Sequence, residues 1–225
     1  MSRTRARTRD VAHSGVRPAR PAGPVAGGPV PVDAFAAFLA RATAWVLTAG
    51  GVLGTAAAFA LVLDRIALLE DPEFVPSCSI SPLFSCGSVM TSPQAELFGF
   101  PNPLIGLVAF PILTTVGVVA LAGGTVPRFV WLGLQAGTFA GLVFVHWLIA
   151  ASLYSIGSLC PYCMAVWVVT ITAFCYTTLH NLTAGRLPLP ARWRRRAASV
   201  ARYHGVLVTT WFVLIAGLVV ARFWL

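Results

Sequence analysis

The chain has no lysine and only seven carboxylates in 225 residues. Charged side chains make up 10% of it against 57% hydrophobic, and the mean hydropathy is +0.80. A soluble domain of this composition would lack the polar residues to cover its surface. An ordinary soluble enzyme is therefore excluded, and a membrane protein is the first reading. All 16 basic residues are arginine, for a net charge of +9. That surplus alone would suit nucleic acid, but the arginines stand beside apolar runs, where they orient a membrane protein. A glycine-rich dinucleotide fingerprint is also missing. So is a haem-attachment motif, because Met164 rather than histidine follows Cys163. No soluble region is large enough to hold a flavin. Residues 1 to about 33 contain almost no large apolar side chain, so this stretch reads as disordered. It has no short apolar core with a cleavage site and is not a signal peptide.

What is present is a set of long apolar runs. Five are long enough to span a membrane as helices: about Ala42–Leu63, Asn102–Ala122, Phe129–Ala151, Cys160–His180 and Tyr203–Trp224. Pro111 inside the second predicts a kink, which membrane bundles tolerate. The expected fold class is an all-α polytopic membrane protein. Its expected parts are a disordered Arg/Pro-rich N-terminus (1–41), a catalytic bundle (42–180) that includes an outer loop (64–101), a basic loop (181–202) and a fifth transmembrane helix (203–225). With the N-terminus inside the cell, only Arg65 and Arg222 of the 16 arginines lie outside. That bias sets the expected orientation. The run Arg192–Arg196 then reads as a topology signal contacting lipid headgroups. The outer loop carries Asp64, Glu70, Asp71, Glu73 and Glu96.

This topology sorts the five cysteines. Cys78 and Cys86 fall in the outer loop, and Cys160 and Cys163 at the outer start of the fourth span. All four share the face on which disulfides persist. Cys160-Pro-Tyr-Cys163 is a CxxC motif on a first helical turn, where the helix N-terminus favours a thiolate. Pro161 suits the first helical position. A redox pair, a structural disulfide and half of a metal site all remain open for this motif. The Cys78/Cys86 pair, with seven residues between its members, could staple the loop, contribute to a four-cysteine zinc site, or relay electrons to the second pair by thiol–disulfide exchange. A relay needs a final acceptor, and a lipid-soluble quinone suits a site at the membrane boundary. A non-catalytic membrane protein, such as a small transporter subunit held by its outer disulfides, is the competing class.

The stretch Cys78…Cys86-Gly-Ser-Val-Met-Thr-Ser92…Gly99-Phe-Pro-Asn102-Pro-Leu-Ile-Gly106, with Cys160-Pro-Tyr-Cys163 far downstream, resembles the vitamin K epoxide reductase family, particularly its bacterial members. The resemblance covers about residues 42–180. It implies a four-helix transmembrane bundle around a quinone, capped by a short helix in the outer loop. It also implies Cys160 and Cys163 as the active-site pair, with Cys163 facing the quinone, and Cys78 and Cys86 as a shuttle. Cys78 would take electrons from a partner, and Cys86 would pass them on through a transient Cys86–Cys160 disulfide. Many bacterial members carry a fused thioredoxin-like domain after the fifth span. The chain ends at Leu225, so the expected partner is a separate DsbA-like thioredoxin-fold protein outside the membrane. The acceptor would be ubiquinone or menaquinone. Arginine in place of lysine, with much alanine, suits GC-rich codon usage, and menaquinone is favoured if that points to an actinobacterial source.

Electron transfer from a thiolate builds negative charge on a quinone oxygen, and the Asn102 amide could donate to it, as the matching family residue does. Asn102 could equally cap the helix that begins at Pro103. Ser92 could bond the loop or help to position Cys163. Trp167 lies four residues past Cys163 on the same helix face, where the family often has tyrosine, and its indole N–H could replace the hydroxyl. His146 is expected at the depth of the redox site, as a proton relay or a packing residue. Phe98, Phe100, Trp147 and Met164 complete the expected ring pocket. His180 reads as an interfacial residue. Cys175 lies about 18 Å along the helix from Cys163, too far for exchange, and reads as packing.

Overall fold

In the computed structural model, the described residues are 31–187, 190 and 201–224. Among them five helices are long and apolar enough to cross a membrane. In chain order the elements are α1 (Pro31–Glu70), α2 (Cys86–Met90), a 3-10 turn (Pro93–Glu96), α3 (Pro103–Leu121), α4 (Arg128–Ala151), a π turn (Ser152–Ile156), α5 (Pro161–Thr183) and α6 (His204–Trp224). No strand forms among the described residues; one isolated bridge pairs Phe84 with Leu159.

The first helix departs from expectation at both ends. Its 40 residues extend about 60 Å at 1.5 Å each, roughly twice the hydrocarbon thickness of a bilayer. Residues 31–41, expected to be disordered, are helical. The reason lies in the apolar spacing of Phe35 and Leu39, which pack against Leu179 and Ala201. The rest of the expected disordered segment, residues 1–30, lies outside the described residues, as does Arg192–Arg196. At its other end α1 carries Asp64 and Arg65 past the expected span and up to the outer loop.

Small residues set the bundle's spacing. A Cβ on Gly117 of α3 would stand 2.6 Å from Thr48 N of α1, and one on Gly54 of α1 would stand 2.6 Å from the Phe110 ring of α3. Glycine is required where the two backbones approach this closely, the usual device of membrane helix pairs. α3 runs through Pro111 as one helix, and Thr115 Oγ donates to the Pro111 carbonyl at 2.8 Å. Leu47, Leu113, Trp131 and Val169 bring α1, α3, α4 and α5 into one apolar core. A second cluster joins Val145, Ile149 and Ile171 to Val219 of α6.

Polar contacts fix the register of α4 against α5. Asn181 Nδ2 donates to the Trp131 carbonyl at 3.1 Å and to Gln135 Oε1 at 3.2 Å. Gln135 Nε2 in turn donates to Thr178 Oγ at 2.9 Å. Interhelical bonds of this kind contribute about 0.6 kcal/mol each on average in a membrane bundle. Arg128 donates to the Arg186 carbonyl at 2.8 Å, so these two arginines share one end of the bundle. The cysteines of both pairs lie at the other end, across the 24 residues of α4.

Candidate thiol–disulfide site

Two chain segments that are far apart in sequence meet at the cysteine end. Gly157, at φ +70°, reverses the chain after the π turn and delivers Leu159 to the outer loop. Leu159 N donates to the Leu83 carbonyl at 2.8 Å, and Ser85 N donates to the Leu159 carbonyl at 3.0 Å. This bridge places the residues that follow Ser85 and Leu159, Cys86 and Cys160, against each other. Ser85 caps α2, its hydroxyl accepting from Ser88 N at 3.2 Å.

Cys78 and Cys86 form a disulfide. Cys160 is a free thiol whose Sγ lies 3.1 Å from Cys86 Sγ, with no room for an intervening atom. The three sulfurs all lie within 4.8 Å of one another. Their residues are closed in: Cys86 is 0% exposed, Cys160 1% and Cys78 6%. A disulfide facing a thiol is the arrangement for thiol–disulfide exchange. Zinc binding by all three would need Cys78 and Cys86 as thiolates, and in this form they are bonded to each other.

Cys160 occupies the N-cap of α5, and its sulfur accepts from Cys163 N at 3.4 Å. A first-turn N–H directed at the sulfur favours negative charge there. One turn on, Cys163 packs against the same sulfur cluster and also reaches a second space. It lines a cavity of about 550 Å³ together with Val89, Asn102, Phe144, Trp167 and Thr170. That volume lies within the range of small-molecule sites. The lining continues along α4 through Gly141, Gly137 and Gly133 to Val130, a run of about 20 Å. The two CxxC cysteines therefore serve different neighbours, Cys160 the outer-loop disulfide and Cys163 the cavity.

Three of the expected pocket residues lie on this cavity: Ser92, Asn102 and Trp167. Ser92 Oγ donates to the Val89 carbonyl at 2.7 Å and so bonds the loop rather than Cys163. Asn102 precedes α3 but makes no side-chain cap. Its Nδ2 donates to the Gln94 carbonyl at 2.7 Å, and its Oδ1 accepts from Leu97 N at 3.3 Å. The side chain thus ties the 3-10 turn to α3, leaving one N–H of the amide uncommitted. Trp167 is 4% exposed, and its buried indole N–H has no hydrogen-bond partner among the described residues.

Other expectations need correction. His146 does not line the cavity. Its Nε2 accepts from Trp211 Nε1 of α6 at 3.0 Å, which leaves Nδ1 to donate to the Leu142 carbonyl at 2.8 Å. Both ring nitrogens are engaged in packing α6 against α4, which is the packing alternative for His146. Met164 turns to the α4–α5–α6 cluster instead. Phe98, Phe100 and Trp147 are largely exposed and form an aromatic array around Phe144, the member that reaches the cavity. Helix periodicity explains these differences: Met164 is one residue from Cys163 and therefore about 100° around the helix. His180 packs against Trp131, with ring centroids 4.2 Å apart. Cys175 packs in the α4–α5–α6 cluster, as expected.

The sequence reading missed Arg65, Asp64 and Phe144. Arg65 lines the cavity and pairs with Glu96 at 2.6 Å, joining α1 to the loop. Its signal was present, because it broke the arginine bias. Asp64 Oδ2 lies 3.8 Å from Cys78 Sγ, a proximity that no sequence spacing announces.

Residues 45–178, more than half of the chain, match the model of the Vitamin K epoxide reductase family. No curated protein matches the chain.

Proposed function

The chain belongs to the vitamin K epoxide reductase family, and from that premise we propose that it reoxidises an extracytoplasmic dithiol protein and delivers the electrons to a membrane quinone. At the coarser level it is a multi-pass membrane oxidoreductase of quinone-linked disulfide chemistry. The proposal adds a route and a division of labour among the cysteines. The observation that carries it is the 3.1 Å separation of Cys86 Sγ and Cys160 Sγ, with Cys163 turned to the cavity.

Electrons enter when a partner thiolate attacks Cys78. The Cys78–Cys86 bond breaks, and the partner's second thiol releases Cys78 as it forms its own disulfide. Cys86, now a thiolate, attacks Cys160 of an oxidised Cys160–Cys163 pair. The Cys86–Cys160 bond forms, and Cys163 leaves carrying the electron pair at the edge of the cavity. Cys78 then attacks Cys86, restores the shuttle disulfide and frees Cys160. This exchange requires only neighbouring sulfurs and a thiolate at each attacking position.

The cavity fits a quinone in three respects: its apolar lining, its length along α4 and the unpaired indole N–H of Trp167. A bound quinone supplies the two-electron, two-proton acceptor. Trp167 Nε1 and the remaining N–H of Asn102 would hold its oxygens, and the lining excludes water. Menaquinone is the favoured acceptor over ubiquinone. The partner is a DsbA-like thioredoxin-fold protein, and the cysteine end faces outside, with the N-terminus cytoplasmic. The arginine bias supports that orientation.

The test uses the purified full chain, a reduced thioredoxin-fold disulfide-forming protein, and menaquinone or ubiquinone. Quinone reduction is followed by absorbance, and partner thiols by alkylation. The expected result is one disulfide formed per quinone reduced. No partner oxidation by wild-type protein with either quinone would refute the proposal.

A further inference from the structure

Cys78 changes protonation twice in each turnover of the relay proposed above, on which this inference rests. It leaves as a thiolate when the partner's second thiol resolves the mixed disulfide, and it must lose its proton again to attack Cys86. Neither step has a proton exchanger among the cysteines. Cys86 and Cys160 are occupied with each other, and Cys163, packed beside Cys160, is the member of its pair that lines the cavity.

The structure places one carboxylate at this sulfur. Asp64 Oδ2 stands 3.8 Å from Cys78 Sγ. It reaches there because α1 continues as a helix beyond the expected span, to Glu70. The neighbouring cation does not neutralise it: Arg65 is paired with Glu96, and Asp64 takes part in no salt bridge among the described residues. Asp64 is only half-buried, so it can exchange protons with outer water while Cys78 remains closed in. Glu70, Asp71 and Glu73 are exposed and make no contact with a cysteine sulfur among the described residues.

We propose that Asp64 is a catalytic acid–base residue for the shuttle, giving a proton to Cys78 as it leaves the partner and removing it as Cys78 attacks Cys86. In the first step the partner–Cys78 bond breaks, its electron pair stays on Cys78 Sγ, and the Asp64 carboxyl supplies the proton. In the second step the Cys78 thiol gives its proton to the Asp64 carboxylate as the Cys78–Cys86 bond forms. The Cys86–Cys160 bond breaks, and its electron pair leaves on Cys160, bound for the quinone. The carboxylate ends each cycle as it began, and the oxidant is the quinone throughout.

The experiment compares wild type, Asp64→Asn and Asp64→Glu as full chains with reduced partner and quinone. General acid–base contributions of this kind run to roughly a hundredfold or more. Turnover in Asp64→Asn should therefore fall by about that factor, and Asp64→Glu should recover a large part of it. Non-reducing mass analysis of quenched Asp64→Asn samples should show accumulation of the Cys86–Cys160-linked form, which a merely unstable protein would not show. Wild-type turnover in Asp64→Asn would overturn the proposal. Equal losses in both variants without the linked form would also overturn it, because they would indicate a structural role. An inactive wild type would instead overturn the relay itself, and this inference with it.

Discussion

Replacing Trp167 with phenylalanine separates the two roles open to this side chain, packing and hydrogen bonding. The indole is 4% exposed, and its N–H has no partner among the described residues. Leaving a donor buried and unpaired costs about 1–3 kcal/mol. If a quinone oxygen accepts from this N–H, the ligand relieves that cost, and phenylalanine removes both the cost and the bond. The loss on the ligand side is then about 1–2 kcal/mol, roughly a five- to thirtyfold weaker quinone affinity. On the protein side, removing the unpaired donor offsets the smaller ring volume, so the quinone-free Tm should change little. The assay is thermal unfolding with and without a saturating short-chain quinone, together with KM for quinone in the coupled reaction. Bound ligand stabilises by RT ln(1 + [L]/Kd). The variant should therefore show a smaller quinone-induced rise in Tm and a raised KM. An unchanged quinone-induced shift, together with a large fall in the quinone-free Tm, would refute the reasoning, because the indole would then be serving the packing alone.

The remaining predictions divide the relay from its surroundings. Cys160→Ser should abolish partner-linked turnover, with quinone-reduction assays as the check; turnover equal to wild type would sink the assignment of the active pair. Cys86→Ser should likewise stop turnover, because Cys78 lacks the 3.1 Å contact that Cys86 makes with Cys160. Cys175→Ser should leave turnover within about twofold of wild type, since it packs away from the cavity. His146→Phe should loosen α6 by about 1 kcal/mol, the net value of one hydrogen bond. That change should appear as a lower Tm, with KM for quinone unchanged.

Much of the architecture could be read from the sequence, because membrane spans declare themselves by length and apolarity. The ends of the helices could not. Helix formation over Pro31–Arg41 depends on Phe35 and Leu39 finding Leu179 and Ala201, contacts that local composition does not reveal. The same limit separates the pocket residues that were placed well from those that were not. Trp167 is four residues past Cys163 and shares its face, so periodicity alone placed it. Depth along a helix placed His146 at the redox level but said nothing about its azimuth, and its face is taken by Trp211. Asn102 reaches the cavity, yet its amide also ties down the 3-10 turn. That second role depends on a loop conformation that spacing does not fix.

The burial of the sulfurs constrains how the relay must work. Cys160 is 1% exposed and Cys86 0%, so neither sulfur is open to a partner protein in this form. Cys78 is the most exposed of these three, at 6%. In the proposed relay, entry through Cys78 requires the segment around it to part. Between Asp71 and Phe84 it forms no helix; turn bonds such as Phe74 N to the Asp71 carbonyl at 3.0 Å and Ser79 N to the Pro76 carbonyl at 2.9 Å hold it up to Leu83, whose carbonyl accepts from Leu159 N at 2.8 Å. Cys86, by contrast, opens the capped helix α2 and is pinned by the Ser85–Leu159 bridge. The disulfide thus joins a sulfur on an irregular segment to one on a capped helix. That asymmetry suits the proposed shuttle, in which Cys78 would meet the partner while Cys86 stays in register with Cys160.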